Sequence, residues 1–284
     1  MPKLSILMPC KNLNLKSEMA INSLLSQDID MELIIVVDGG ENNLKINDNR
    51  VKINVLKSNI GPGPAVNIAY SIASGEYITV HDDDDYSVPE RFTMLFGALE
   101  ENRIITSNIM QTQGDKSGII RFNTSSFCKP TRLKPPAHHC ATIIRRDLWD
   151  KIGPYHNCVI SDSIRMIKLG IYLKLKNENF LLCDKPLYNY IVGDGLSQSV
   201  SWKSLVKSSR RRLFRSYSDI LNMQPENFLK WYDDTIDKWY DNITNDAVGN
   251  NIEEYDKQCM QSMIDNMIKY FAITDIGRRY EIRN

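Results

Sequence analysis

Through its first hundred residues the chain repeats one pattern, a short apolar run followed by a stripe of apolar residues at helical spacing. Leu4–Met8, Leu33–Val37, Val51–Val55 and Tyr77–Val80 have the length of strands. Between them Ala20, Ile21, Leu24 and Leu25, and then Ala65, Ile68, Ala69, Ile72 and Ala73, recur at the spacing of one helix face. A helix between two strands carries the chain back along the sheet, so successive strands run parallel. The pattern therefore predicts an α/β fold with a mostly parallel sheet flanked by helices. Ligands of such sheets bind beyond the carboxyl ends of the strands. Three segments fall there: Pro9-Cys10-Lys11-Asn12 after the first strand, Asp38-Gly39-Gly40 after the second and His81-Asp82-Asp83-Asp84-Asp85 after the fourth.

Composition narrows the function classes. With Lys plus Arg and Asp plus Glu both at 35, no net field draws the chain to nucleic acid, and no nucleic-acid partner is expected. The longest apolar run, Leu33–Val37, is far short of a membrane span, so no transmembrane segment is expected. The six cysteines form no C-x-x-C pair, which suits neither a disulfide framework nor a zinc site. The first strand starts three residues after Met1, leaving no room for a secretory signal. Together these features lead us to expect a cytoplasmic protein.

Farther along, Pro89-Glu90 opens a helix through Leu99, and Arg103–Gln111 with Ile119–Phe122 reads as a hairpin. Residues 123–137 form a proline-containing loop, and strand and helix signals resume over Ala141–Trp149 and Ile164–Leu169. From Trp202 the chain turns to polar helices, over roughly 202–222, 226–243 and 252–272. We set a boundary near residue 200, giving a domain of residues 1–200 and a helical C-terminal extension of residues 201–284. The basic run Lys203, Lys207, Arg210, Arg211, Arg212 and Arg215 suits a solvated or packing face, with peripheral contact to an anionic membrane as the alternative.

Four consecutive aspartates at the end of a buried strand repel one another unless a cation is present, and Mg²⁺ or Mn²⁺ favours such oxygen ligands. In an extended chain Asp82 and Asp84 share a face; the alternatives are a solvated acidic turn, or Asp85 capping the next helix. Asp38 ends a strand before two glycines, a place where a ligand can approach the backbone. The Gly61-Pro62-Gly63-Pro64 segment is a weak phosphate loop, because its prolines remove amide donors. Asp162 reads by itself as a helix cap or first-turn acid, and His138-His139 as a pair that could bind metal or substrate, though adjacent histidines after prolines are usually polar loop residues.

Taken together, these segments resemble the family-two glycosyltransferases, whose Rossmann-like GT-A domain binds a nucleotide sugar. Ser5–Asn12 is similar to that family's opening strand, Glu32–Gly40 to its second strand with a base-recognising aspartate, and Asn59–Asn67 to its Asn-x-Gly…Ala-x-Asn segment. Gly75–Asp85, continuing to Pro89-Glu90-Arg91, is similar to its Gly-Glu-Tyr strand, Asp-x-Asp-Asp metal motif and Pro-Glu helix. Ala141–Gly153 looks like the stretch before the acceptor site, and Asp162 falls where the family's acidic pair supplies the base. Ser161 stands where the family often has glutamate, Val66 where many members have arginine, and Gly39 where a second aspartate is common. The Gln-x-x-Arg-Trp signature of processive members is absent.

The resemblance implies metal-dependent, inverting transfer of one sugar from a nucleoside diphosphate donor, expected to be a UDP-sugar, to a hydroxyl of a glycan or other acceptor. It implies that Pro9, Cys10, Lys11, Asn12, Asp38, Asn67, Asp82 and Asp83 face the nucleotide. Asp82 and Asp84 would hold Mg²⁺ or Mn²⁺, and Asp162 would act as the catalytic base. A metal-dependent nucleotidyltransferase, or a nucleotide-sugar-binding module with little turnover, are the alternatives.

Overall fold

The computed structural model describes residues 2–124, 128–129, 132–133, 135–156, 161–193 and 223–247. The helices expected over 202–222 and 252–272, and the basic run between Lys203 and Arg215, lie outside them.

In chain order the elements are β1 (Leu4–Cys10), α1 (Leu15–Leu25), β2 (Met31–Val37), β3 (Val51–Val55), α2 (Pro62–Ile72), β4 (Tyr77–Val80), β5 (Tyr86–Ser87), α3 (Arg91–Leu99), β6 (Ile104–Gln113) and β7 (Lys116–Ile120). There follow β8 (Cys128–Lys129), β9 (Arg132–Leu133), a 3₁₀ turn (His139–Ala141), β10 (Thr142–Arg145), α4 (Arg146–Ile152), α5 (Ser161–Lys176), β11 (Leu181–Ile191) and α6 (Pro225–Ala247). The main sheet has the order β3-β2-β1-β4-β10-β6-β11-β5, with β7 paired to β6. The pairings make β1, β2, β3, β4, β6 and β11 parallel to one another, while β10, β5 and β7 run the other way. The mostly parallel sheet expected from the alternation is therefore present, with an antiparallel strand inserted in it.

Burial on both sides explains why β1 and β2 read as continuous apolar runs rather than alternating ones. Leu7, Ile34, Val36, Ile78 and Val80 point to one face and pack with Ala65 and Ala69 of α2 and Ile164 and Ile167 of α5. Leu4, Ile6, Met8, Leu33, Ile35 and Val37 point to the other and meet Ala20 and Leu24 of α1 and Phe92 and Leu95 of α3. The chain steps outward from β1 to β2 and β3, then returns to β4 on the opposite flank of β1. This reversal opens a crevice at the carboxyl ends of β1 and β4.

Two elements depart from the sequence reading. The hairpin turn is tighter than expected: Gln113 pairs with Lys116, and Gly114 (φ +56°) supplies the left-handed conformation that a two-residue turn needs. β11 carried no strand signal because Pro186 and the charges at Asp184 and Lys185 interrupt it, yet it lies inside the sheet. Its register shifts on both sides of Pro186, and such bulges accommodate a residue without an N–H donor.

The helix expected over 226–243 is α6. Its Phe228, Tyr232 and Ile236 are buried in the same core as α2 and α5, and the Tyr232 hydroxyl donates to the Ile164 carbonyl at 2.8 Å. Lys168 of α5 donates to both carboxylate oxygens of Asp233 at 2.7 Å. Among the described residues no helix is long and apolar enough to cross a membrane.

Glu32 ties the amino-terminal side of this sheet together. Its carboxylate accepts from Ser5 Oγ (2.6 Å), Ser74 N (2.6 Å), Ser74 Oγ (3.0 Å), Gly75 N (3.2 Å) and Lys52 Nζ (2.7 Å). Burial alone would raise its pKa, but the donors from Lys52, Ser5 and Ser74 outweigh it and lower the value from 4.5 to about 2. A carboxylate with a depressed folded-state pKa stabilises the fold above its unfolded value, and that stabilisation is lost as pH falls through the folded one. Glu32→Gln should therefore be clearly less stable than the parent at pH 7, with the gap in Tm narrowing between pH 4.5 and about 2. Thermal unfolding of both proteins across that window checks it, and a gap that does not change with pH would contradict the linkage.

Candidate active site

The three expected segments meet at the crevice. Asp38 N donates to the Cys10 carbonyl at 2.7 Å, and His81 N to the Leu7 carbonyl at 2.9 Å. The buried Asp38 carboxylate accepts from the amides of Ile60 (2.7 Å) and Gly61 (2.9 Å), and its carbonyl accepts from Asn59 Nδ2 at 3.1 Å. Asp38 thus fixes the loop that enters α2. The glycines after it are needed by the backbone. Gly39 has φ +72° and a Cβ there would lie 2.1 Å from Asn59 N, while one on Gly40 would lie 1.8 Å from the Lys11 carbonyl oxygen. No larger residue fits at Gly39, which accounts for the missing second aspartate.

Pro9 is half-buried, Cys10 buried, and Lys11 and Asn12 exposed at the rim, where Asn12 Oδ1 accepts from Glu41 N at 3.1 Å. Burial, with the charges of Asp83 and Asp38, raises the Cys10 thiol pKa to about 12. Asn67 turns elsewhere: its amide donates to the Tyr155 carbonyl (2.9 Å) and accepts from Tyr155 N (2.8 Å), fastening α2 to the segment before α5. Val66, where arginine is common in the resembling family, is buried in the core.

The four aspartates separate into two roles. Asp83 Oδ2 accepts from Ser17 Oγ of α1 at 3.1 Å. Asp85 is buried and accepts from the Tyr188 hydroxyl (2.6 Å) and Ile191 N (2.7 Å) of β11, so it anchors the loop instead of capping α3, whose N-cap is Glu90. Asp82 is half-buried, and Asp84 is exposed with no hydrogen bond from another residue among the described residues. Burial raises three of the four carboxyls, Asp83 to about 6 with help from Asp84, Asp85 to about 8 with help from Asp82, and Asp84 upward with help from Asp82. Carboxylates that lift one another's pKa make a site that a divalent cation would relieve, and their oxygens suit Mg²⁺ or Mn²⁺. The donor set fits such an ion.

Asp162 lies half-buried in the first turn of α5. The starts of α2 and α5 touch, since a Cβ on Gly63 would lie 2.6 Å from the His156 carbonyl and 2.8 Å from Ser161 Oγ. The Tyr155 side chain, next to His156, is buried. Burial raises its pKa and Arg165 opposes this, while Cys140, Asp162 and Asp82 add to the rise.

Several residues here were missed by sequence reasoning. Tyr188 donates to Asp85 and accepts from Asp82 N at 3.4 Å; it sits on a strand that itself went unread. Arg91 is fully buried, donates to Ser87 Oγ at 2.9 Å and to the Cys140 carbonyl, and lies 5.0 Å over the Tyr188 ring. Burial lowers its pKa to about 10. The two histidines, singled out in the sequence but favoured there as loop residues, lie at the site: His139 Nε2 is 3.9 Å from Asp82 Oδ2 and 3.1 Å from Cys140 Sγ. β10 runs antiparallel to β4, with Ile144 opposite Ile78, and extending that register brings the residues before β10 alongside the aspartates.

Residues 5–155 match the family model described as Glycosyl transferase family 2. An uncharacterized glycosyltransferase of Haemophilus influenzae is 32% identical over 116 residues, 38% of this chain and 46% of that protein. The minor teichoic acid biosynthesis protein GgaB of Bacillus subtilis is 26% identical over 215 residues, 69% of this chain but 24% of its own length, so the chain spans less than half of either relative. Among solved structures, S. aureus TarS residues 1–349 in complex with UDP-GlcNAc superposes with a TM-score of 0.59 at 19% identity, covering 80% of this chain and 69% of that one. This likeness and the sheet order give the chain a GT-A fold. With more than half of its length matched and the family's acidic segments gathered at one crevice, the chain belongs to glycosyl transferase family 2.

Proposed function

We propose that this protein is a metal-dependent, inverting glycosyltransferase that moves a single sugar from a nucleoside diphosphate donor, a UDP-sugar by our reading, to an acceptor hydroxyl. The observation that carries the proposal is the gathering of the Asp38 loop and the Asp82–Asp85 run at the carboxyl ends of β2 and β4, on either side of β1 where the strand order reverses and a nucleotide sugar can lie. The UDP-GlcNAc complex of TarS supports the donor class, as does the complex of Pyrobaculum calidifontis mannosyltransferase PcManGT with GDP-Man and Mn²⁺, which superposes at a TM-score of 0.53.

In this reading the backbone from Pro9 to Asn12 and the Asp38 loop bracket the nucleoside, and Asp38 contributes an acceptor to the base. The start of α2, with two prolines removing amides, gives the diphosphate little, so the counter-charge has to come from a cation held by Asp82 and Asp84. A bound divalent ion would supply Lewis-acid stabilisation of the departing diphosphate. Asp83 and Asp85 hold the carrying loop through Ser17 and Tyr188. Asn67 acts through Tyr155, positioning the wall of the crevice. Asp162 takes the proton from the acceptor hydroxyl as that oxygen attacks the anomeric carbon on the face opposite the diphosphate, which inverts the configuration.

We assign donor binding and catalysis to residues 1–200. Residues 201–284 would complete the core through α6 and offer acceptor or membrane contacts. A cytoplasmic setting agrees with the free thiols of Cys10, Cys140 and Cys183. Asp84→Asn should keep the fold but weaken Mn²⁺-dependent donor binding by on the order of tenfold or more, because an amide lacks the anionic oxygen that offsets the ion's charge. Calorimetric titration with UDP and with UDP-sugars, each with and without Mn²⁺, reads this out. Unchanged Mn²⁺ dependence in the variant would remove Asp84 from the cation site.

A further inference from the structure

We propose that His139 is a third protein ligand of the cation site, coordinating through Nε2 beside Asp82. This rests on the reading of Asp82 and Asp84 as cation ligands, and it adds a nitrogen donor to an otherwise all-oxygen set.

The geometry is close to what one ion requires. Two ligand atoms each about 2.0–2.2 Å from a shared cation lie no more than about 4 Å apart, and about 3 Å apart at adjacent corners of an octahedron. His139 Nε2 and Asp82 Oδ2 stand 3.9 Å apart, so a side-chain shift of under about 1 Å brings them to neighbouring corners. His138, His139 and Cys140 also place one potential ligand atom each within 4.8 Å of one another. Of the three, His139 is the one suited to reach the crevice. Cys140 is completely buried behind it, and the His138 ring is stacked on Tyr188, with centroids 5.7 Å apart. The His139 side chain keeps 12% exposure, and its Nε2 is the atom nearest Asp82 Oδ2. Its Nδ1 is buried with no hydrogen-bond partner among the described residues.

The chemical consequence is metal selectivity. Imidazole suits first-row transition metals, whereas Mg²⁺ prefers oxygen ligands and retains several of its waters. A site of Asp82, Asp84 and His139 is therefore built for Mn²⁺ over Mg²⁺, and His139 sets that preference.

Pulsed electron paramagnetic resonance of Mn²⁺ bound to the full chain in the presence of UDP provides the test. The expected spectrum contains a directly coordinated nitrogen whose coupling changes when the protein is labelled with ¹⁵N-histidine, an experiment that requires no substitution. His139→Gln should abolish that coupling and lower Mn²⁺ affinity by on the order of tenfold while changing Mg²⁺ affinity much less, and His138→Gln should retain it. Mn²⁺ that binds in an Asp84-dependent manner without nitrogen coupling, or coupling that survives in His139→Gln, would overturn the assignment and leave the carboxylate site standing. Mn²⁺ binding that does not depend on Asp84 would overturn the carboxylate site, and the histidine assignment with it.

Discussion

Asp162→Asn is expected to lower sugar transfer by on the order of 10²–10⁴-fold while donor and Mn²⁺ affinities stay close to those of the parent. The expectation follows from where the residue sits. In the first turn of α5 its charge faces the helix N-terminus, and among the described residues no salt bridge or hydrogen bond diverts its carboxylate. Asparagine serves about as well as aspartate near a helix start, so the fold should survive and the loss should fall on turnover. The measurement pairs calorimetric donor affinity with mass-spectrometric detection of transfer to a working acceptor. Native transfer by the asparagine variant would assign Asp162 to α5 stability alone, whereas parallel loss of donor affinity and turnover would move it from the base to the donor pocket.

The second large effect lies far from the chemistry. Phe228 is completely buried on α6, and Tyr232, also buried, holds the Ile164 carbonyl two residues beyond Asp162. Phe228→Ala should cost about 3–5 kcal/mol, the usual range for emptying an aromatic site in a core. In a chain of this size that corresponds to a drop in Tm on the order of ten degrees. Thermal unfolding checks it, and a near-native Tm would mean that α6 is an accessory to the core. Shortening the chain before α6 should be worse, because it also leaves Lys168, 2% exposed, without the Asp233 carboxylate that neutralises it.

Much of this could be read in the sequence, and for identifiable reasons. β1, β2 and β4 were legible because burial on both faces leaves them uninterrupted, whereas the reversal of strand order at β1 came only with the structure. Asp38 and the Asp82–Asp85 run stood out because each directly follows such a strand. What stayed hidden depends on pairing between distant segments. β11 looks like a loop because its proline and charges occupy bulges that only the neighbouring strands explain. Its Tyr188, which fixes Asp85, went unseen with it. His139 reads as a loop residue until β10 is set antiparallel to β4, and Asn67 reads as a ligand residue until Tyr155 is found against it. Alternation along the chain separates Asp82 and Asp84 from their neighbours, but the anchoring of Asp83 by Ser17 and of Asp85 by Tyr188 could not be read, since both partners lie far away in sequence.

The antiparallel β10 also governs how the molecule assembles. It joins β4 to β6 through two residue pairs on one side, Ile144 with Ile78 and Arg145 with Tyr77, and three on the other. As the chain leaves the ribosome, β1 to β4 can condense into a parallel unit while the flank of β4 stays open, and β6 follows with an open edge of its own. Both are templates for wrong pairing until Thr142–Arg145 arrives to close the seam. The strand that closes it is led by the His139–Ala141 turn, so the event that covers the flank of β4 also delivers the floor of the crevice, while the far flank of β6 waits for β11. Nascent chains halted before this seam lack the turn that carries His139 and keep the flank of β4 open to neighbours.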